Sequence, residues 1–162
     1  MIKVLFVCYG NICRSTMAEF LFKKFVKEKG KEHEFYIQSA ATSDEEVGNP
    51  VHIGTRKILE REGINCAEKR ARQITKEDYK NFDYIIGMDD KNIRALNRFY
   101  NGDVNGKIYK LLDFTADKRD VIDPWFLWLS DGVGDFESTY RDIMAGINGF
   151  YEFLSENKLL KG

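Results

Sequence analysis

Residues 4–20 read VLFVCYGNICRSTMAEF, and this stretch decides how the rest of the sequence is interpreted. The β-branched and apolar residues from Ile2 to Val7 predict a buried strand of a parallel sheet, and a helical pattern begins near Ser15. Cys8 ends the strand, five residues follow, and Arg14 and Ser15 open the helix. Because ligands of parallel sheets sit at the carboxyl ends of strands, where loops lead into helices, we expect the chemistry of the protein in this loop.

The remaining sequence alternates between strand and helix patterns. Further strands are predicted at Phe35 to Ala40, Asp83 to Met88 and Lys107 to Leu112. Further helices are predicted at Thr55 to Glu62, after a capping box at Thr75 to Asp78, at Lys91 to Phe99 and from about Asp135 towards the C-terminus. No repeat, low-complexity tract or linker marks a domain boundary. The alternation predicts one α/β domain over residues 1–162, with a parallel sheet covered by helices on both faces.

The overall composition excludes several classes of protein. The 162 residues and 18.9 kDa suit one domain, and 43% hydrophobic with 31% charged residues is an ordinary globular mixture. The net charge of −1 gives no electrostatic reason to expect a nucleic acid or an anionic membrane as partner. The apolar run from Val4 to Cys8 is too short for a membrane span or a signal peptide. Three cysteines do not make a disulfide framework, which favours the reducing cytoplasm, and two histidines far apart argue against a His-rich metal site.

The loop between the first strand and the first helix combines features that bind an oxyanion. Its backbone N–H groups can point inward as an anion nest, and Gly10 and Asn11 tolerate the positive φ angles that such a wrap needs. Arg14 adds a planar guanidinium that can grip two phosphate oxygens, and the same positive field favours the thiolate form of Cys8. Ser15 can donate a hydrogen bond to the sulfur and stabilise it as a leaving group. The predicted phosphate-binding residues are Tyr9, Gly10, Asn11, Ile12, Cys13 and Arg14.

A thiolate inside such a cradle suits attack on a tetrahedral phosphorus, which forms a phosphocysteine intermediate. Arg14 and the amides neutralise the equatorial oxygens, so we expect no metal and no other cofactor. The phosphate loop of nucleotide hydrolases is absent, because no Gly-Lys-Ser or Gly-Lys-Thr follows Gly10. The alternative is a structural cysteine at a strand end with a surface arginine nearby. The combination of strand, five-residue gap, Arg-Ser and helix favours the catalytic interpretation.

The same stretch resembles the opening of the low-molecular-weight protein-tyrosine phosphatases. The resemblance continues through Ser39 to Ser43, Ala71 to Asp78, Phe82 to Asp89, Ile122 to Trp125 and Asp135 to Glu137. It implies a Rossmann-like, phosphotyrosine phosphatase I-like fold, which is a four-stranded parallel sheet flanked by helices. It also implies metal-independent hydrolysis of phosphotyrosine in proteins, and of small aryl phosphates, with Cys8 as nucleophile. Tyrosine-phosphorylated proteins or peptides are the implied partners, and inorganic phosphate or other oxyanions are the implied inhibitors.

Asp123 is the predicted general acid. It precedes Pro124, which biases it towards an extended conformation on a defined loop. Expulsion of a phenolate is easier when its oxygen is protonated as the P–O bond breaks. The resemblance assigns this role to the aspartate of the Asp-Pro pair, and then the role of the base that activates water. The alternative is a turn-forming Asp-Pro.

Three further residues are candidates for substrate specificity. Trp125 and Phe126 follow the Asp-Pro pair and can sandwich a phenyl ring, whereas the alternative is ordinary core packing. Glu45 falls in the loop that, by resemblance, forms the other wall of the crevice. A carboxylate there favours substrates with basic residues beside the phosphotyrosine, although a solvated loop glutamate is the alternative.

The resemblance also implies residues that support the loop. Ser15 and Ser39, with Asn11, match polar positions that brace it. Lys69 lies where the family commonly has a histidine, so the sequence leaves open how the brace is completed, because an ammonium group cannot accept a hydrogen bond. Asp89 is predicted either to anchor the surroundings of Arg14 or to cap a helix.

The second cysteine of the loop has an implied redox role. By resemblance, Cys13 forms a disulfide with Cys8 under peroxide and protects the nucleophile from irreversible oxidation.

Three other functions share parts of this pattern. A thiol-based arsenate reductase needs further cysteines in the middle of the chain, where the sequence has only Cys66. A phosphoarginine phosphatase typically has threonine where this chain has Ile12, which instead favours phosphotyrosine. A phosphate-sensing module without turnover does not need Cys8, Arg14 and Asp123 together.

Overall fold

The computed structural model of the chain describes residues 1–125 and 135–160. Within them the strands are β1 (Ile2–Cys8), β2 (Phe35–Ala41), β3 (Tyr84–Gly87) and β4 (Ile108–Lys110). The α-helices are α1 (Arg14–Glu28), α2 (Ile53–Arg61), α3 (Lys76–Asn81), α4 (Asp90–Phe99) and α5 (Phe136–Glu156). Short 3₁₀ helices cover Glu32–Glu34 and Leu111–Phe114. Across the described parts of the chain, no helix combines the length and apolar character that crossing a membrane requires.

The four strands form one sheet in the order β2-β1-β3-β4, and every neighbouring pair is parallel. Cys8 at the end of β1 pairs with Ala41 of β2, and Val7 pairs with Gly87 of β3. The carboxyl ends of the three strands therefore lie side by side at one edge of the sheet. The four-stranded parallel sheet predicted from the sequence is confirmed.

Helices cover both faces of the sheet, and strand β1 shows how the sequence directs this. Val4 and Phe6 belong to a cluster that includes buried residues of α1 and α5, whereas Leu5 and Val7 belong to a second cluster on the other face. All four side chains are fully buried. Successive side chains of a strand point to opposite faces, so an unbroken apolar run requires cover on both sides.

The last strand is shorter than the sequence pattern predicts. The chain pairs only over Ile108–Lys110, and the next four residues, Leu111–Phe114, form a 3₁₀ helix. This segment packs against α5 at two glycines. A Cβ atom on Gly146 would lie 2.4 Å from Leu111, and one on Gly149 would lie 2.3 Å from the carbonyl of Phe114. The apolar residues that resemble a strand in sequence are used for helix packing instead.

The helix boundaries follow their capping residues. Helix α3 has the predicted capping box, because the Thr75 side chain accepts from the N–H of Asp78 and the Asp78 carboxylate accepts from the N–H of Thr75. Helix α5 begins after Asp135, whose side chain caps it, as predicted. Helix α2 begins at Ile53, two residues before the predicted start, because the His52 side chain accepts a hydrogen bond from the N–H of Gly54.

Candidate active site

The loop between β1 and α1 wraps around the sulfur of Cys8. The sulfur accepts hydrogen bonds from the backbone N–H groups of Asn11 and Ser15, both at 3.4 Å, and lies 3.0 Å from the Ser15 hydroxyl. Cys8 itself is 3% exposed. Asn11 has a φ of 61°, which turns the chain back towards the sulfur. A ring of donors therefore surrounds the predicted nucleophile.

Gly10 contributes to the loop through its small size rather than through its backbone angles. Of the two loop residues that tolerate a positive φ, Asn11 adopts one and Gly10 does not. A Cβ atom at Gly10 would lie 3.3 Å from Cγ of Glu46. The glycine instead allows the side chain of the neighbouring loop to pack closely against the turn.

Among the residues that the structure describes, Arg14 has the largest side chain that is almost completely buried, with 2% exposure. Its Nη1 donates to Oδ2 of Asp89 at 2.8 Å and to the carbonyl of Val121 at 2.7 Å. Its Nη2 lies 3.6 Å from Oδ2 of Asp123. Burial opposes the charged guanidinium, but the charges of Cys8, Asp123 and Asp89 outweigh it and raise the pKa of Arg14. Arg14 is thus a fixed cation that joins the thiol, the predicted acid and the sheet edge.

Asp123 lies at the rim of this cluster. Its side chain is 21% exposed, more than that of the buried Arg14 it faces. Its Oδ1 accepts a hydrogen bond from the N–H of Trp125 at 3.0 Å, which fixes the carboxylate in a local turn. One oxygen is therefore held by the backbone, and the other faces the guanidinium.

Asp89 fills both roles that the sequence left open. Its Oδ2 accepts from Arg14, and its Oδ1 accepts from the N–H of Asn92 at 2.8 Å, which caps helix α4. The Asn92 side chain in turn accepts a hydrogen bond from the N–H of Asp89, and the two bonds form a capping box. The residue fixes the buried arginine to the start of a helix.

A buried chain of hydrogen bonds continues from Ser15 away from the sulfur. The Asn11 Nδ2 group donates to the hydroxyls of Ser15 at 2.8 Å and Ser39 at 2.9 Å. Ser39 in turn donates to the carboxylate of Glu19 at 2.5 Å. We call the series Ser15, Asn11, Ser39 and Glu19 the buried hydrogen-bond chain.

A carboxylate at its far end and a backbone N–H beside Asn11 together fix the direction of every bond in this chain. The N–H of Arg72 donates to Oδ1 of Asn11 at 3.1 Å, so the Nδ2 group of Asn11 faces the two serines. Glu19 only accepts, so the Ser39 hydroxyl is committed as a donor and must accept from Asn11. Asn11 then uses its second N–H on Ser15, which makes the Ser15 oxygen an acceptor. The Ser15 proton is therefore left to point at the sulfur of Cys8, 3.0 Å away.

Lys69 completes the brace that the sequence left open. Its ammonium group lies 3.1 Å from Glu19 Oε1 and donates to the carbonyl of Ser39 at 3.2 Å. Burial lowers the pKa of Lys69, although the charge of Glu19 acts in the opposite direction. The Glu19 carboxylate already supplies the acceptor at this end of the buried hydrogen-bond chain. A donor is therefore needed beside it, and the lysine provides one.

Glu19 is the member of the site that sequence reasoning missed. It is 2% exposed and lies between Ala18 and Phe20 on α1. Two sequence signals mark it: a carboxylate inside the otherwise apolar run from Met17 to Phe22, and its position four residues after Ser15, which places both on one helix face. Buried carboxylates are rare unless they are paired, so such a residue predicts partners.

The other side of the loop is supported by the start of helix α2. The carbonyl of Cys13 accepts from the Thr55 hydroxyl at 3.1 Å, and the carbonyl of Ile12 accepts from the backbone N–H of His52 at 2.9 Å. Burial and the neighbouring charges of Cys8 and Asp123 raise the pKa of Cys13, so it stays a thiol near neutral pH. Cys13 and Cys8 are free thiols in this structure.

Two residues join the loop to the rim of the site. The hydroxyl of Tyr9 donates to Glu45 at 2.5 Å, and this bond raises the pKa of Tyr9. Tyr9 as a residue is 48% exposed, so it can contribute its backbone to the cradle while its ring stands outside. Glu45 thus lies beside the loop, in the region that the sequence indicated.

The two aromatic candidates for specificity follow the predicted acid in the sequence. Trp125 lies next to that acid, whereas Phe126 lies outside the described residues.

No metal centre accompanies this cluster in the described residues. Within 1–125 and 135–160, no group of three or more histidine, cysteine, aspartate or glutamate side chains is arranged to hold a metal ion. The charge of the Arg14 guanidinium interacts with Cys8.

Comparison with known proteins places the whole chain in one group. Residues 3–160 match the family model described as low molecular weight phosphotyrosine protein phosphatase. The chain is 40% identical to the low molecular weight protein-tyrosine-phosphatase YfkJ of Bacillus subtilis, over 99% of this chain and 100% of that protein. It is 40% identical to the low molecular weight phosphotyrosine protein phosphatase of Homo sapiens, over 93% and 94%.

Solved structures agree with the sequence comparison. The crystal structure of YfkJ superposes with a TM-score of 0.90 at 39% identity and covers 98% of this chain and 97% of that one. A protein tyrosine phosphatase from Entamoeba histolytica, solved with Hepes in the active site, has a TM-score of 0.82 at 29% identity, covering 98% and 99%.

Proposed function

The chain belongs to the low molecular weight phosphotyrosine protein phosphatase family and is therefore a protein-tyrosine phosphatase, and from this premise we propose its mechanism. Cys8 attacks the phosphorus of phosphotyrosine, Arg14 holds the phosphate, and Asp123 acts first as acid and then as base. The observation that carries the proposal is the sulfur of Cys8 at the centre of a ring of N–H and O–H donors, with a buried arginine beside it.

Phosphate binding falls to the loop that surrounds the sulfur. The backbone N–H groups from Tyr9 to Arg14 and the Arg14 guanidinium surround the equatorial oxygens. These donors are held in place before substrate arrives, so they stabilise the charge of the transition state without reorganisation. The same cradle accepts inorganic phosphate and other oxyanions, which we expect to inhibit. The Hepes molecule in the Entamoeba histolytica enzyme supports this expectation, because its sulfonate is an oxyanion.

Asp123 supplies the proton to the leaving phenolate. In the free protein its carboxylate faces Arg14 at 3.6 Å. After the phenol leaves, the carboxylate takes a proton from water as water attacks the phosphocysteine.

Ser15 assists the second step, in which the thiolate is the leaving group. Its proton points at the sulfur, as the direction of the buried hydrogen-bond chain requires. A hydrogen bond to a charged sulfur is worth roughly 1.5–3 kcal/mol, which lowers the barrier for P–S cleavage.

Substrate specificity falls to the rim. We propose that Trp125 and Phe126 contact the phenyl ring, and that Glu45, held by Tyr9, favours peptides with basic residues beside the phosphotyrosine. Peptides with Lys or Glu in those positions test this role, and equal rates for both would exclude it. The expected partners are tyrosine-phosphorylated proteins in the cytoplasm, where thiols stay reduced.

One set of assays tests the mechanism. The protein should hydrolyse phenyl phosphate and 4-nitrophenyl phosphate in the presence of a chelator. Cys8→Ser should abolish turnover and keep the binding of inorganic phosphate. Asp123→Ala should slow phenyl phosphate more than 4-nitrophenyl phosphate, because 4-nitrophenolate leaves without much help from an acid. Full turnover by Cys8→Ser, or equal slowing of both esters, contradicts the assigned roles.

A further inference from the structure

Among the described residues, three aromatic rings pack together near the predicted acid, and His52 lies between the other two. Its ring centroid lies 5.1 Å from that of Trp125, edge to face at 87°, and 5.2 Å from that of Phe136, nearly parallel at 10°. Trp125 follows the Asp123-Pro124 pair directly, and Phe136 is the first residue of α5. The His52 ring thus contacts both Trp125 and Phe136, which precede and follow residues 126–134 in the sequence.

Two hydrogen bonds fix the position of His52. Its backbone N–H donates to the carbonyl of Ile12 in the phosphate-binding loop at 2.9 Å. Its Nδ1 accepts from the N–H of Gly54 at 3.0 Å, which requires a neutral imidazole with an unprotonated Nδ1. Gly54 also makes room for the stack, because a Cβ atom there would lie 2.4 Å from the ring of Phe136.

Helix capping alone does not explain a histidine at this place. Aspartate, asparagine, serine and threonine are the favoured N-cap residues, and each would accept the Gly54 hydrogen bond. None of them would fill the space between Trp125 and Phe136. The side chain therefore combines two functions, a cap for α2 and a ring for the stack.

We propose that His52 is a positioning residue that couples the phosphate-binding loop to the general acid. Its backbone fixes Ile12, its ring fixes Trp125, and the N–H of Trp125 fixes Oδ1 of Asp123 at 3.0 Å. The inference rests on the proposed role of Asp123 as acid. It adds that the placement of this acid relative to the sulfur depends on a ring from the opposite wall of the site.

Two substitutions separate the ring from the cap. His52→Asn keeps an N-cap acceptor and removes the ring, whereas His52→Phe keeps a ring and removes the acceptor. For His52→Asn we expect kcat/KM for phenyl phosphate to fall about tenfold, part of the roughly 10²–10⁴-fold that a general acid contributes, with 4-nitrophenyl phosphate changed by less than about twofold. For His52→Phe we expect both rates within about twofold of wild type and a lower midpoint of urea unfolding.

Two further variants make every outcome decisive. His33→Asn changes an exposed histidine outside the site and should leave both esters and the unfolding midpoint unchanged. Asp123→Asn should slow phenyl phosphate selectively; if it does not, the proposed function fails. If it does, but His52→Asn slows neither ester or slows both equally, the acid stands and the positioning role of His52 is overturned. Adding His52→Asn to Asp123→Asn should cause no further selective loss, and an additive loss contradicts the proposal.

Discussion

Replacing Glu19 with glutamine removes the charge that directs the buried hydrogen-bond chain and keeps the size of the side chain. Glu19 accepts from Ser39 at 2.5 Å, from Lys69 at 3.1 Å and from Lys23 at 2.6 Å. A glutamine amide can donate as well as accept, so the Ser39 hydroxyl is no longer committed as a donor. The N–H of Arg72 still orients the Asn11 amide, so the direction of the Ser15 proton towards the sulfur is weakened rather than lost.

The structure sets the size of the expected loss of stability. The side chains of Glu19 and Lys69 are only 3% and 11% exposed, so their ion pair is poorly screened by water. A hydrogen bond to a charged group is worth roughly 1.5–3 kcal/mol, and removing one partner of a buried pair costs roughly 3–5 kcal/mol. We expect Glu19→Gln to lower the free energy of unfolding by about 2–4 kcal/mol, measured by urea denaturation.

The catalytic effect should pass through Ser15. Complete loss of a hydrogen bond to the thiolate, worth roughly 1.5–3 kcal/mol, corresponds to a decrease between about tenfold and about a hundredfold in kcat/KM for 4-nitrophenyl phosphate. Because the N–H of Arg72 still orients Asn11, we expect Glu19→Gln to cause only part of it, a decrease of about two- to tenfold. Lys23→Met is the matched control, because Lys23 binds the other Glu19 oxygen from a 40% exposed position, and its loss should cost less than about 1 kcal/mol and leave the rate unchanged.

A double-mutant cycle tests whether the two residues act together. In a Ser15→Ala background, Glu19→Gln should still destabilise the protein but should not slow it further, because the proton it directs is gone. Multiplicative losses in the double variant would refute the directional argument.

Three more predictions concern the surroundings of the site. Burial lowers the pKa of His52, so the unfolded chain takes up a proton on this histidine at a higher pH than the folded chain does. As the pH decreases through about 6.5, the unfolding free energy of the wild type should therefore fall relative to that of His52→Asn. Urea denaturation on both sides of that pH measures the difference. Asp89→Asn keeps the α4 cap and loses the charged bond to Arg14, whereas Asp89→Ala loses both, so Asp89→Ala should unfold with about 1 kcal/mol less free energy than Asp89→Asn; equal values contradict the capping role. Mild peroxide should give a reversible Cys8–Cys13 disulfide in intact-mass analysis, and sulfinic acid at Cys8 with Cys13 still free would exclude it.

The parts of the site that are continuous in sequence were predictable. Strand β1, the loop after Cys8 and the start of α1 are adjacent in the chain, so the sequence shows the order in which they occur. The register of the sheet then brings Ser39 and Asp89 to the same edge, because parallel strands end together.

The parts that depend on packing between distant segments were not predictable. Lys69 reaches Ser39 and Glu19 from a loop thirty residues beyond Ser39, and nothing local in the sequence indicates this approach. The 3₁₀ helix after β4 depends on Gly146, which belongs to a helix formed much later in the chain. In both cases the contact is made by a residue far away in the sequence, and the local pattern of apolar and polar residues gives no sign of it.

The direction of the hydrogen bonds near the sulfur was also only partly predictable from the sequence. The sequence shows that hydroxyls and an amide stand near the sulfur, but hydroxyls and amides can each donate or accept. Only a group with a single role can orient them: Glu19 accepts at the far end, and the backbone N–H of Arg72 donates to Oδ1 of Asn11 in the middle. We therefore expect the reactivity of the sulfur to depend on groups that do not touch it, because each fixed group determines whether its neighbour donates or accepts.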